Sequence, residues 1–294
     1  MVTATGEQVY CDARHHPELY WAARGGRSRL LRGGGDGLPS AALSEAPPVC
    51  GSSLYVYPIE TADEVFGWAR AISADVDRRV ELQIVTSSEI PPGVGLRAPP
   101  GIVLASPVFA DTEEDAKAAL ALLDSCPVRD DALVAVPFAP PADLPSWFEA
   151  VMSNYPSGHR YATDNMWTSA PATELLPGIR RIIETMPPHP SHFLWLNWGG
   201  PSPARQDMAY SLEDEIYLAL YTAWSDPADD TRYGDWARTN MAEMAHLATG
   251  VQLADENLGQ RPARFATDAS MARLDAVRAQ YDPQGRFHSW MGRV

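Results

Sequence analysis

The sequence predicts a mixed fold, α+β or α/β, on three observations. From Ser53 onward, short stretches with the period of a strand alternate with stretches of helical period. Hydrophobic residues fill 45% of the 294 positions, enough for a real core in one large or two modest domains. Proline and glycine breaks, such as Ala139-Pro-Pro-Ala and a later Gly-Gly-Pro, fall between the periodic stretches.

Each element follows from its own pattern. Ser53 to Ile59 (SLYVYPI) alternates as a strand, and Thr61 to Ala74 carries Val65, Phe66, Trp68, Ala69 and Ile72 at helical spacing. Val80 to Val85 and Ile102 to Phe109 read as strands. Asp111-Thr-Glu-Glu is a capping-type start for a helix running to Leu123. Ala132 to Phe138 is a further strand, followed by a helix over Leu144 to Ser153, a polar strand from His159 to Thr168 and a helix from Ala172 to Met186. His192 to Trp198 is an apolar strand. Glu215 to Trp224 (EIYLALYTAW) is aromatic and favours a strand despite its Leu and Ala. A long helix is expected over Asp229 to Thr249, and a last one over Ser270 to Gln280, stopped at Asp282-Pro283. The total is about seven strands, with no internal repeat.

Composition narrows the function classes. With 23 Lys+Arg against 38 Asp+Glu the formal net charge is -15, and no basic cluster offsets it, which disfavours nucleic acid and anionic membranes. No stretch approaches the roughly 20 apolar residues of a membrane span. The start, Met1-Val-Thr-Ala-Thr-Gly-Glu, lacks the layout of a signal peptide, so a cytoplasmic protein is expected. Cys11, Cys50 and Cys126 are too few and too scattered for a disulfide framework. The seven histidines show no HExxH or HxxxH spacing, and no metal site is expected. Phosphate-loop, nucleophile-elbow and GxGxxG dinucleotide motifs are all missing.

Residues 27–46 follow neither period, and on composition they read as a linker. Lys117 is the only lysine, and Ala, Pro and Arg are abundant, as a GC-rich coding sequence tends to produce.

Two segments carry a family resemblance. Val2-Thr-Ala-Thr-Gly-Glu-Gln-Val followed by His16-Pro-Glu-Leu-Tyr-Trp-Ala-Ala-Arg-Gly-Gly resembles the end of the FAD-binding domain of vanillyl-alcohol-oxidase-type (PCMH-type) flavoproteins. Arg273-Leu-Asp-Ala-Val-Arg-Ala-Gln-Tyr-Asp-Pro-Gln-Gly-Arg-Phe is similar to the C-terminal signature of berberine-bridge-enzyme-like oxidoreductases. Each motif is moderately specific alone; their order and separation make them strong together. The resemblance implies an α+β fold, an antiparallel sheet with helices on one face, preceded by a remnant of the FAD-binding domain. The implied organisation is 1–26 as that remnant, 27–52 as an irregular linker, 53–265 as the substrate-binding domain and 266–294 as the berberine-bridge-like C-terminal segment. Where the family carries a flavin-facing "G-x-G-F-F-G-V-V-T", this chain departs from it. Back-translated and read one base later, Arg27 to Glu45 permits Gly-Arg-Gly-Phe-Phe-Gly-Val-Val and onward, which suggests a frameshift restored near Pro47-Pro48. The nucleotide sequence decides that point.

The resemblance also implies site residues. Gly25 and Gly26 would approach the flavin with bare backbone, although a glycine pair is equally an ordinary turn. Asp255 or Asn257, in Leu253-Ala-Asp-Glu-Asn-Leu-Gly, would reach its ring edge, or the segment is an acidic surface loop. Tyr161, Tyr217 and Tyr221 are candidate catalytic groups, and Asn165, Trp167, Trp195 and Asn197 candidate substrate contacts, all expected on a sheet face that covers the flavin. For any single one of these, ordinary sheet core is the simpler reading. The implied function is FAD-dependent transfer of hydride from an alcohol, sugar or amine carbon to flavin N5, with oxygen or another acceptor restoring the flavin. The alternatives are a non-catalytic substrate-binding subunit completed by a separately encoded FAD-binding half, and a nonfunctional gene fragment.

Overall fold

Strand period becomes sheet where one face can be buried. In the computed structural model, which describes residues 1–24, 49–89, 100–139, 144–197, 207–253 and 255–287, seven strands form one sheet. They are β1 (Val49–Pro58), β2 (Leu82–Ser87), β3 (Gly101–Ala110), β4 (Val134–Ala139), β5 (Arg160–Thr168), β6 (His192–Asn197) and β7 (Ile216–Trp224). Their order is β4-β1-β3-β2-β6-β7-β5, and every pairing is antiparallel. The expected α+β class, an antiparallel sheet with helices on one face, is the observed one.

Alternation decides which side chains meet the helices. Tyr55 and Tyr57 of β1, Ile102 and Leu104 of β3, Ile84 of β2, Phe193 and Trp195 of β6, Leu218 and Leu220 of β7 and Met166 of β5 all enter one core. Four helices supply its other half. Helix α2 (Ala62–Ala71) gives Val65, Phe66 and Trp68, α3 (Glu113–Leu120) gives Ala116 and Leu120, α5 (Ala172–Glu184) gives Leu175, Ile179 and Ile182, and α7 (Trp236–Met244) gives Trp236 and Met241. Thr112 caps α3 by accepting from the Asp115 amide at 3.1 Å, a start the capping pattern foretold to within a residue.

The chain divides into two compact units, one of Met1–Ser44, Ser202–Glu213 and Thr249–Val294, the other of Glu45–Pro201 and Asp214–Ala248. The second holds the whole sheet. The first gathers three pieces distant in sequence around α1 (Pro17–Ala23) and α8 (Asp268–Tyr281), with Leu19, Trp21 and Ala22 packed against Leu274 and Val277. The sequence pattern gives no helix at 17–23; Pro17 at its first position and Glu18 in its first turn are the signals for it.

The long helix expected over 229–249 is instead two. A short α6 (Asp230–Tyr233) ends at Gly234, whose amide still bonds the Asp230 carbonyl at 2.9 Å, and α7 starts afresh at Trp236. A Cβ on Gly234 would lie 2.7 Å from that same oxygen, so the turn closes more tightly than a side chain permits.

Candidate functional site

The face of the sheet turned away from the helices is built from the complementary residues. On β5 these are Thr163, Asn165 and Trp167, whose register partners on β7 are Tyr221, Ala219 and Tyr217. Those in turn stand opposite His192, Leu194 and Leu196 of β6, and Val85 of β2 faces Leu194. Three rungs result. The outer two carry rings and the central one is lean, with Ala219 flanked by Asn165 and Leu194.

The rings touch. Trp167 and Tyr217 lie 5.1 Å apart between centroids at 50°, and His192 stacks on Tyr221 at 4.7 Å and 21°. Tyr155, on the turn between α4 (Leu144–Met152) and β5, sits edge-on to both, 5.3 Å from His192 and 5.2 Å from Tyr221. Trp167, Tyr217, Ala219, Tyr221, Val85 and Leu194 form a buried cluster of their own, separate from the helix-side core. Asn165 is fully buried beside them.

The expected group of sheet residues is therefore divided. Asn165, Trp167, Tyr217 and Tyr221 share the open face, as strand parity on each strand suggests. Trp195 and Asn197 do not. Trp195 is fully buried 5.7 Å from Phe66 of α2, opposite Leu218, and Asn197 donates through Nδ2 to the Glu215 carbonyl at 2.8 Å. The reason is register: the β6–β7 pairing sets odd residues of β6 against even residues of β7, so odd-numbered Trp195 and Tyr217 fall on opposite sides.

Tyr161 has the right parity but stands at the sheet edge, 40% exposed, and its hydroxyl donates to the Pro156 carbonyl at 2.7 Å. It closes the turn that presents Tyr155. His192 and Tyr155 were not singled out from sequence. His192 shares Tyr221's rung, which only the inter-strand register reveals, and Tyr155 lies outside any periodic stretch.

The remaining expected residues belong to the other unit. Asp255 and Asn257 are both half-buried and lie outside helix and strand, and the Asn257 carbonyl accepts from the amides of Gln260 at 3.0 Å and Arg261 at 2.7 Å. Asn257 thus organises a turn. Gly25, Gly26 and the segment suggested as frameshifted lie outside the described residues.

The resemblance implies FAD, whose parts make different demands. A flat conjugated ring with a polar rim asks for aromatic side chains beside a polar one, and Trp167, Tyr217 and Asn165 supply those types on this face, all three buried. A pyrophosphate asks for unpaired cations or a nest of amides, and here the described arginines are largely spent on carboxylates: Arg70 on Glu215, Arg160 on Asp230, Arg180 on Asp63, Arg273 on Glu18 and Asp207. The described residues fit the ring and not the phosphates.

No sequence-family model matches the chain. Among curated proteins it is 24% identical over 299 residues to the FAD-linked oxidoreductase nodO of Hypoxylon pulicicidum, covering 97% of this chain and 62% of that protein. It is 25% identical over 292 residues to the FAD-linked oxidoreductase ptmO of Penicillium ochrochloron, with the same coverage. Among solved structures, 6-hydroxy-D-nicotine oxidase of Arthrobacter nicotinovorans matches with a TM-score of 0.70 at 17% identity, over 98% of this chain and 63% of that one. The wild-type berberine-bridge-enzyme-like protein 1 of Physcomitrella patens matches with a TM-score of 0.73 at 12% identity, over 100% of this chain and 64% of that one. The chain thus spans less than two thirds of the length of these relatives. In sequence the chain is similar to FAD-linked oxidoreductases, and in fold it is similar to 6-hydroxy-D-nicotine oxidase and the berberine-bridge-enzyme-like protein.

Proposed function

We propose that this chain supplies the substrate-side wall of a FAD-dependent oxidoreductase, an oxidase or dehydrogenase that removes hydride from the CH–OH or CH–NH carbon of a small organic molecule. The observation that carries this reading is the open face of β5, β6 and β7, where two ring-bearing rungs flank a lean one. FAD, when bound, supplies the hydride acceptor. The chain's own residues do the rest. Ala219, buried between the rungs, is the smallest side chain of this face, and Trp167 and Tyr217 beside it make a flat apolar wall. The phenols of Tyr217 and Tyr221 accept hydrogen bonds from a hydroxyl or amine hydrogen and so orient the carbon that bears it. Tyr161 holds the turn and takes no proton.

The phosphate-binding surface belongs elsewhere in this reading, either in the remainder of a longer polypeptide or in a separately encoded FAD-binding half. The second arrangement predicts co-purification of the chain with such a partner. Oxygen or another acceptor restores the flavin.

The test pairs the chain with the FAD-binding portion of a full-length relative and follows bleaching of the flavin's visible band, without oxygen, against alcohols, sugars and amines. Substrate-dependent bleaching is expected, and Tyr217→Phe or Tyr221→Phe should lower kcat/KM by about five- to tenfold, as the loss of one orienting hydrogen bond does. No bleaching by any donor class overturns the oxidoreductase reading. Bleaching indifferent to both substitutions overturns the roles given to the open face.

A further inference from the structure

The two ring-bearing rungs of the open face are not equally secured by the sheet. The β5–β7 ladder runs from Arg160 opposite Trp224 to Thr168 opposite Ile216, and Tyr221 pairs with Thr163 well inside it. Trp167 and Tyr217 are the last pair but one, at an end where a ladder opens first. A ring contact of 5.1 Å at 50° in such a place needs a second support.

The helix layer supplies it. Arg70, in the last turn of α2, reaches the chain just beyond the strand ends. Its Nε donates to the Ala170 carbonyl and its Nη2 to the Ser169 carbonyl, both at 2.7 Å, so it grips the backbone two and three residues after Trp167. Its Nη1 donates to Ser73 Oγ at 2.7 Å and lies 3.0 Å from Oε2 of Glu215, two residues before Tyr217. Ser73 Oγ donates in turn to that same oxygen at 3.3 Å. The Glu215 carbonyl accepts from Nδ2 of Asn197, the last residue of β6, at 2.8 Å. One guanidinium thus ties the ends of β5 and β7 directly, and that of β6 through Asn197. The ion pair itself is partly exposed, so the bonds to the two carbonyls carry much of the hold.

We propose that Arg70 is a positioning residue: from the helix side of the sheet it sets how far apart the ends of β5 and β7 stand, and so the distance and angle at which Trp167 meets Tyr217. The proposal rests on the open face being the working wall of the oxidoreductase, since only then does the geometry of these rings bear on the reaction. Arg70 itself touches no ligand. Its fork is what matters, because a lysine ammonium keeps the charge but cannot hold two carbonyls, a hydroxyl and a carboxylate at fixed angles. A shift of about 1 Å passed on from a distant support is enough to cost a site much of its efficiency. Asn197, expected as a substrate contact, takes a place in this support instead.

With the tryptophan indole nitrogens isotope-labelled, NMR on the chain without flavin follows the Trp167 N–H signal, assigned by its loss in Trp167→Phe. Tyr217→Leu gives the position this signal takes without the neighbouring ring. Arg70→Lys should carry it most of the way there, and Glu215→Gln, which keeps the shape and drops the charge, a smaller part of the way. Arg180→Ala breaks the ion pair from α5 to Asp63 of α2, leaves the Arg70 contacts intact and should not move the signal. A signal that stays in place in Arg70→Lys, or that moves as far in Arg180→Ala, would overturn the proposal. If Arg70→Lys does not fold, Glu215→Gln decides by the same displacement. In the flavin-bleaching assay Arg70→Lys should lower kcat/KM about as far as Tyr217→Phe does, and an unchanged value beside a moved signal would also overturn the positioning role. No bleaching even by the unaltered chain would sink the oxidoreductase reading and leave the ring geometry to be decided by NMR.

Discussion

Tyr161 and His192 show how far a single side chain's role depends on its partner. The Tyr161 phenol is spent on the Pro156 carbonyl, so Tyr161→Phe should cost about 0.5–1.5 kcal/mol and raise hydrogen exchange over 153–159 while leaving exchange in β6 and β7 unchanged. The His192 imidazole binds fewer protons in the folded chain than in the unfolded one between its lowered pKa of about 4 and the ordinary value of about 6.5. Stability is therefore whole above the upper limit, falls as pH drops through the window, and levels off below the lower limit. Each pH unit inside it is worth about 1.4 kcal/mol, so His192→Phe should remove up to about 3 kcal/mol of acid sensitivity. Urea midpoints of both proteins across that range measure the difference. The nearby His189 adds to the lowering, and the flanking phenols of Tyr155 and Tyr221 ordinarily titrate far above this window.

Among the elements, α1 and α8 are joined by one arginine. Arg273 of α8 forks onto both carboxylate oxygens of Glu18 at 2.8 Å, reaches Asp207 at 3.1 Å, and lies 4.1 Å over the Trp21 ring, whose Nε1 also donates to Asp207 at 2.8 Å. Its guanidinium is about a third exposed, so solvent weakens the ion pairs. Arg273→Ala should still cost about 1–2 kcal/mol through lost hydrogen bonds and ring contact. Exchange protection should fall in Pro17–Ala23 and Asp268–Tyr281 and hold in the sheet. Arg273→Lys should recover only part, because an ammonium cannot fork. Legibility in the sequence followed the same local logic. All seven strands were readable, Ser53 to Ile59 by period two and others, such as His192 to Trp198 and Glu215 to Trp224, by apolar or β-favouring composition, and α8 by the helical spacing of Met271, Leu274 and Val277 before Asp282-Pro283. The break at Gly234 was not, since apolar spacing continues across it, and neither was the side of β6, since parity within one strand is silent about its neighbour. Asn165, Trp167, Tyr217 and Tyr221 were legible as a group, whereas Trp195 and Asn197 needed the register to be placed.

For the molecule as a whole, the net charge of -15 and the commitment of the described arginines to carboxylates weigh against holding a dinucleotide by its phosphates. The 294-residue chain by itself should therefore purify with far less than one flavin per chain, read from its visible absorbance. A yellow protein near one-to-one would refute this. The strand order carries a consequence for how such a protein diversifies. Strands β1 to β4 and strands β5 to β7 are each contiguous in sequence and join only along the β2–β6 pair. Every ring of the open-face cluster, from Tyr155 to Tyr221, comes from the second block. New ligand preferences could thus be acquired by exchanging one uninterrupted stretch of about seventy residues as a cassette, with the helix-packed first block inherited unchanged.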